Sequence, residues 1–146
     1  MAFRFTLDAV LRFRESVEHS EEATLLLIVQ QIVTAEQELG QIGEEQVRIR
    51  GQREKDLALK LPASHLMDIV ERESQLKLAA DGLRLRLRQL ETQRLAQLAI
   101  YQTARRDRQV LSKLRERQHH AYQLQQKRQE QKTLDDLFLA RAKARD

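Results

Sequence analysis

The chain has no cysteine, no tryptophan and a single proline. Without cysteine there is neither a disulfide framework nor a thiolate metal site, which suits a reducing compartment. Aromatic residues make up only 4% of the sequence. A globular core needs large side chains converging from several directions, and few are on offer here. Long apolar runs are missing too. The longest, Leu25-Leu26-Leu27-Ile28-Val29, falls far short of the roughly 18 residues that span a bilayer. The N-terminal Met1-Ala2-Phe3-Arg4-Phe5 lacks the charged and then apolar regions of a secretory signal.

What is present is Leu, Gln, Arg, Glu and Ala in abundance, all residues that lose little freedom in a helix. Charged residues reach 33%, against about 25% for an ordinary domain. Disorder is the rival reading of such a composition. Two features oppose it: hydrophobic residues still amount to 41%, and they recur at helical spacing. The charge is uneven. Residues 1–64 carry 8 basic and 11 acidic groups, whereas residues 105–146 carry 12 and 6. Opposite signs favour folding one half back on the other, although a solvated helix surface accounts for them equally well.

Pro62, in Leu61-Pro62-Ala63-Ser64, is the one clear break, because proline cannot continue a helix and disfavours helix at the residue before it. Ser64 is placed to cap the helix that follows. The first helix is expected over about residues 6–60, the turn at 61–64 and the second helix over about 65–141. In the first, Leu25, Ile28, Ile32, Ala35, Leu39, Ile42 and Ile49 fall on one a/d seam. The same frame extended backward meets Arg14, Glu18 and Glu21, which predicts a weak seam there. Gly40, Gly43 and Gly51 predict bending or fraying near the hairpin. The second seam runs through Leu66, Ile69, Leu76, Ala80, Leu83, Leu87 and Leu90, after which Leu95, Leu98 and Tyr101 predict a shifted frame. Two such helices joined by a short turn must lie antiparallel. The fold class is therefore all-α, a single long two-helix antiparallel coiled-coil hairpin whose second helix overhangs the first.

No catalytic, cofactor-binding or metal-ligating constellation emerges, and no small-molecule substrate is expected. The four glycines are scattered through helices rather than gathered in a phosphate-cradling loop. His119 and His120 point about 100° apart on a helix, so they do not share a metal, and the histidines read as solvated surface. Paired carboxylates such as Glu44-Glu45 lack a pocket to perturb them. The basic last third has the charge for nucleic acid, but its acids are interspersed and no aromatic stacking array accompanies it. A protein partner fits better, since the apolar groups of an overhanging end mark a docking site. Those groups are Phe3, Phe5, Leu7, Val10 and Leu11 from one helix and Leu134, Leu137 and Phe138 from the other. Packing of these residues on each other is the other outcome.

The terminal patterns are distinctive. One end reads Phe3-x-Phe5-x-Leu7-x-x-Val10-Leu11-x-x-Arg14, followed by Glu18. The other reads Leu114-x-Glu116-Arg117-Gln118, then Glu130-Gln131-Lys132-x-Leu134-Asp135-Asp136. With the hairpin layout, they resemble the FliJ family of flagellar type III export proteins over nearly the whole chain. The injectisome stalk proteins share the layout, and a generic coiled-coil adaptor remains a further alternative. The resemblance implies a non-enzymatic protein of flagellum biogenesis and motility, cytoplasmic and peripheral at the inner face of the cell membrane. It implies three partners: the hexameric flagellar export ATPase, the cytoplasmic part of the export gate membrane protein, and the export chaperones. One end of the hairpin would enter the ATPase ring and promote its assembly and activity. For the gate, Leu76 and Ala79 match the family's stripe by position. Arg72 replaces an expected aromatic and Leu83 an expected histidine, and Leu76 and Leu83 serve equally as seam residues.

Overall fold

The computed structural model describes residues 2–145. Among these there are two helices and no strand: α1, Asp8–Ala58, and α2, Ala63–Arg145. Asp8 sits in the first turn of α1 and Lys55 in the last, each favourable to the helix dipole. α1 is unbroken through Gly40, Gly43 and Gly51, so these glycines lower its intrinsic stability without ending it.

The turn between the helices is a Schellman closure. Lys60 takes φ 52°, the left-handed conformation that usually calls for glycine. The Leu61 N–H donates to the Asp56 carbonyl at 3.3 Å and the Lys60 N–H to the Leu57 carbonyl at 3.3 Å, which satisfies the last carbonyls of α1. α2 then begins at Ala63, directly after Pro62, whose carbonyl accepts from the His65 N–H at 3.0 Å. Ser64 is consequently inside the first turn and not its cap. Asp56 is only 2% exposed. It accepts from Gln52 Nε2 at 2.8 Å and lies 3.1 Å from His65 Nε2. His65, exposed as expected, thus also has a carboxylate beside it.

The chain divides into two compact units, residues up to Ser20 with those from Gln102 onward, and Glu21–Tyr101. In the second, the hairpin unit, α1 and α2 run antiparallel, with Gln97 bonded to Glu21 and Arg72 to Glu45. Its core is the leucine and alanine seam: Ala35, Leu76, Ala80 and Leu90 are buried, Leu90 to 1% exposure. The frame of α2 does not shift after Leu90. Arg94, Gln97 and Tyr101 carry the same spacing of three and four onward and are inward-facing, while Leu95 is exposed. Apolar residues alone suggested a shift because the seam here is occupied by polar side chains.

The first unit, the terminal unit, is likewise antiparallel, with the Phe3 ring against His119 and Tyr122 and Arg14 against Asp107. Its frame is the one expected from Leu11, and the charged positions stay in it. Arg14 bonds Asp107 at 3.3 Å. Arg108 grips Glu18 through two nitrogens, at 2.6 and 3.2 Å, the bidentate geometry in which arginine is strongest. Among the arginine–carboxylate pairs that cross between the helices in the described residues, Glu18–Arg108 and Glu45–Arg72 follow the net charges of the two halves, whereas Arg14–Asp107 and Arg53–Glu73 run against them. The direction of packing is therefore dictated by the tight turn rather than by bulk charge.

Candidate functional site

The terminal unit holds the apolar residues singled out from the sequence, and they separate into two groups. Phe5 and Leu11 are buried, at 7% and 4% exposure. Phe3 is half-buried, its ring edge-on to His119 at 5.0 Å between centroids and tilted against Tyr122 at 5.6 Å. These three residues fasten the start of the chain onto α2, and His119, exposed as expected, takes part in that contact with one edge of its ring. Leu7 and Val10 lie on the outer side, exposed.

The second group stands apart. Every residue of α2 from Lys127 to Arg145 is exposed. Leu134, Leu137, Phe138 and Leu139 present large apolar groups to solvent, Phe138 at 74% exposure. On α2 the Phe3 ring packs against His119 and Tyr122. Leu134 is about 18 Å beyond Tyr122 along the helix, at roughly 1.5 Å per residue. The structure does not bring Leu134, Leu137 and Phe138 together with Phe3, Phe5 and Leu11. The spacing of 134, 137 and 138 places the three on one face of the helix. Bonds within this segment are local, from Gln131 Nε2 to Asp135 at 3.1 Å and from the Thr133 hydroxyl to the Gln129 carbonyl at 2.9 Å.

One apolar residue was missed. Phe13 is 61% exposed beside Val10, with the Arg14 guanidinium carbon 6.0 Å from its ring centroid. It lies outside the seam frame, and its exposure is legible only once that frame is continued through Arg14. Between the helices a shallow groove of about 330 Å³ is lined by Leu11, Glu15, Ser112, Arg115, Glu116 and His119. Among the described residues, no three His, Asp or Glu side chains are grouped to hold a metal, and no helix is long and apolar enough to cross a membrane.

A family model described as the flagellar FliJ protein matches residues 3–145. The chain belongs to the FliJ family. That makes it a flagellar export-related protein, from a family of non-catalytic components of flagellar protein export. The curated proteins give no match to the chain, and neither do the solved structures. In this FliJ-family chain the positions that resemble the family's gate stripe lie in the hairpin unit. Leu76 is buried in the seam, Leu83 is half-buried, and Ala79 is exposed.

Proposed function

We propose that the chain is a non-enzymatic stalk and adaptor of the flagellar export apparatus, acting in the cytoplasm at the inner face of the cell membrane. In this reading it inserts into the hexameric export ATPase, favours the assembled ring and raises its turnover. It also links the ATPase to the export gate and to export chaperones. The observation that carries the reading is the end of α2, where Leu134, Leu137 and Phe138 are exposed on a helix that has no neighbour from α1. Family membership supplies the system, and exposed apolar groups on one helix face supply a docking surface.

The ATPase surface is accordingly Leu134, Leu137 and Phe138 with the exposed Leu7, Val10 and Phe13. Phe3, Phe5 and Leu11 support it by holding the start of α1 in place. Gate contact is proposed on the α2 face that displays Ala79, with Leu76 and Leu83 packed beneath. The decisive measurement is turnover of the cognate export ATPase with and without the chain. Wild-type chain should raise the rate and shift the ATPase to hexamer. Phe138→Ser with Leu134→Ser should abolish both effects while leaving most of the helicity, because both side chains are mainly exposed, at 61% for Leu134 and 74% for Phe138. A double variant that stimulates like wild type removes this surface from consideration.

A further inference from the structure

The hairpin unit has a second helical stripe on α1, one residue on from its seam. Leu26, Val29, Val33 and Val47 are exposed along it, interrupted by Gly40 and Gly43. A Cβ at either glycine would meet nothing within 4 Å. Packing inside the chain therefore does not call for glycine at these positions, although each costs about 1 kcal/mol in a helix interior. Glycine on an outer face is useful where a foreign surface approaches closely.

The stripe also matches its own reverse. Two copies of α1 laid antiparallel and crossing near Glu36 would set Leu26 against Val47, Val29 against Gly43 and Val33 against Gly40, with the two exposed Glu36 side chains meeting at the crossing as the one like-charged contact of the stripe. Val29 and Val33 then face the gaps left by glycine, Leu26 and Val47 pack on each other, and Glu22 faces Arg50 of the second copy at each end. An unrelated partner would not require the stripe to complement itself.

α2 provides an independent check. Arg50 shares a groove of about 550 Å³ with Val70, Ser74, Lys77 and Arg84. This side of α1 and those residues of α2 therefore form one face, while the Glu45–Arg72 pair lies at heptad positions on the other. Ala35 and Glu38 share a groove with Leu83 and Arg86, which levels the middle of the α1 stripe with α2 near Arg84. A two-fold axis through that level sets Asp81 against Arg88 of the second copy, Lys77 against its Glu91 and Val70 against its Leu98. Arg84, nearest the axis, is already neutralised by Asp81 at 3.1 Å. Charge complementarity on α2 thus returns the centre that size complementarity gives on α1.

We infer that the hairpin unit self-associates, two copies pairing antiparallel through this face into a four-helix bundle whose two-fold axis passes near Glu36. The contact lies wholly within residues 21–101 and does not depend on the ATPase reading. Light scattering on the full-length chain should give a mass approaching twice 17.2 kDa at high concentration and falling toward 17.2 kDa on dilution. Gly40→Leu should retain helicity, since its side chain enters open space in the single chain, and should remove the dimer. Glu22→Arg should weaken it and Arg50→Glu, added to Glu22→Arg, should restore it. The chain has no native cysteine, so cross-linking is unambiguous. On oxidation Glu36→Cys should link to itself, Leu26→Cys should not, and Leu26→Cys with Val47→Cys should. A mass of 17.2 kDa at every concentration overturns the inference. So does a dimer that survives Gly40→Leu, or one linked by Leu26→Cys alone.

Discussion

In the hairpin unit the seam is closed by Ala35, Leu76, Ala80 and Leu90; in the terminal unit the equivalent positions hold Arg14, Glu18 and Arg108. The two stretches share helix type, direction and heptad frame but differ in what stabilises them. Apolar burial is non-directional and tolerates small displacements. A bidentate ion pair is satisfied in one register only and leaves a costly half-buried charge in any other. The terminal unit thereby gains specificity of alignment from residues that contribute little net stability. The hairpin unit has the reverse balance, since its apolar core supports a helix pair that carries all four glycines.

The strongest way to break this contrast is Leu90→Ala. Leu90 is 1% exposed, and truncating a buried leucine costs about 2–3 kcal/mol where the surroundings relax partly into the gap. Urea unfolding followed by circular dichroism should show that loss. Native-state hydrogen exchange should place it in residues 21–101, with terminal-unit amides less affected. Equal loss of protection in both units would mean that they unfold as one cooperative body, and the contrast would then describe composition only.

Arg108→Leu should come next, at about 1–3 kcal/mol, because it strands Glu18, whose side chain is 13% exposed, without its donor. Glu18→Leu added to Arg108→Leu should recover most of the loss, since replacing both partners of such a pair by apolar groups is often neutral or stabilising. The double variant should, however, align less strictly, as shown by a wider range of spin-label distances between α1 and α2. If the single and double variants were equally unstable, the pair would be contributing packing rather than charge.

Much of the fold was legible. Pro62 fixed the turn, and Leu25, Ile28, Ile32 and Ala35 gave a frame that the structure keeps. What escaped was the polar continuation of the α2 seam, because a search for apolar periodicity stops counting at Arg94 and Gln97 although the backbone does not. The left-handed Lys60 carries no sequence signal, since glycine is the usual occupant. The split of the terminal apolar residues was available by counting outward from Pro62, which sets Phe3 opposite residues near Tyr122 and leaves Leu134 beyond. Grouping them by hydrophobicity alone hid that arithmetic.

The ion pair also gives the contrast a pH dependence. Hydrogen bonding from Arg108 is the chief cause holding the Glu18 carboxyl below its ordinary value of 4.5, with partial burial opposing it. A pKa lowered by folding stabilises the native state above the unfolded value, and the benefit is lost as pH falls through the folded value. The stability gap between wild type and Glu18→Gln should be constant at neutral pH, at about 1.5–3 kcal/mol for a hydrogen bond to a charged group. It should close below 4.5. A gap that persisted in acid would assign the difference to shape, not charge.

The smallest effect tests the other side of the balance. Gly51 and Gly82 lie in the helices of the hairpin unit, and an added Cβ would meet nothing within 4 Å at either. Neither belongs to the self-association face. Gly51→Ala and Gly82→Ala should each stabilise the hairpin unit by about 0.5–1 kcal/mol, through helix propensity and a less disordered unfolded chain. Because the sites are more than a few turns from one another in packing terms, the two gains should add. The terminal unit has no glycine, so no equivalent substitution exists there, and its hydrogen-exchange protection should be unchanged. A gain in the hairpin unit alone would show that its apolar seam is offset by its own backbone. No gain at either site would mean that both glycines face a partner surface that the single chain does not supply.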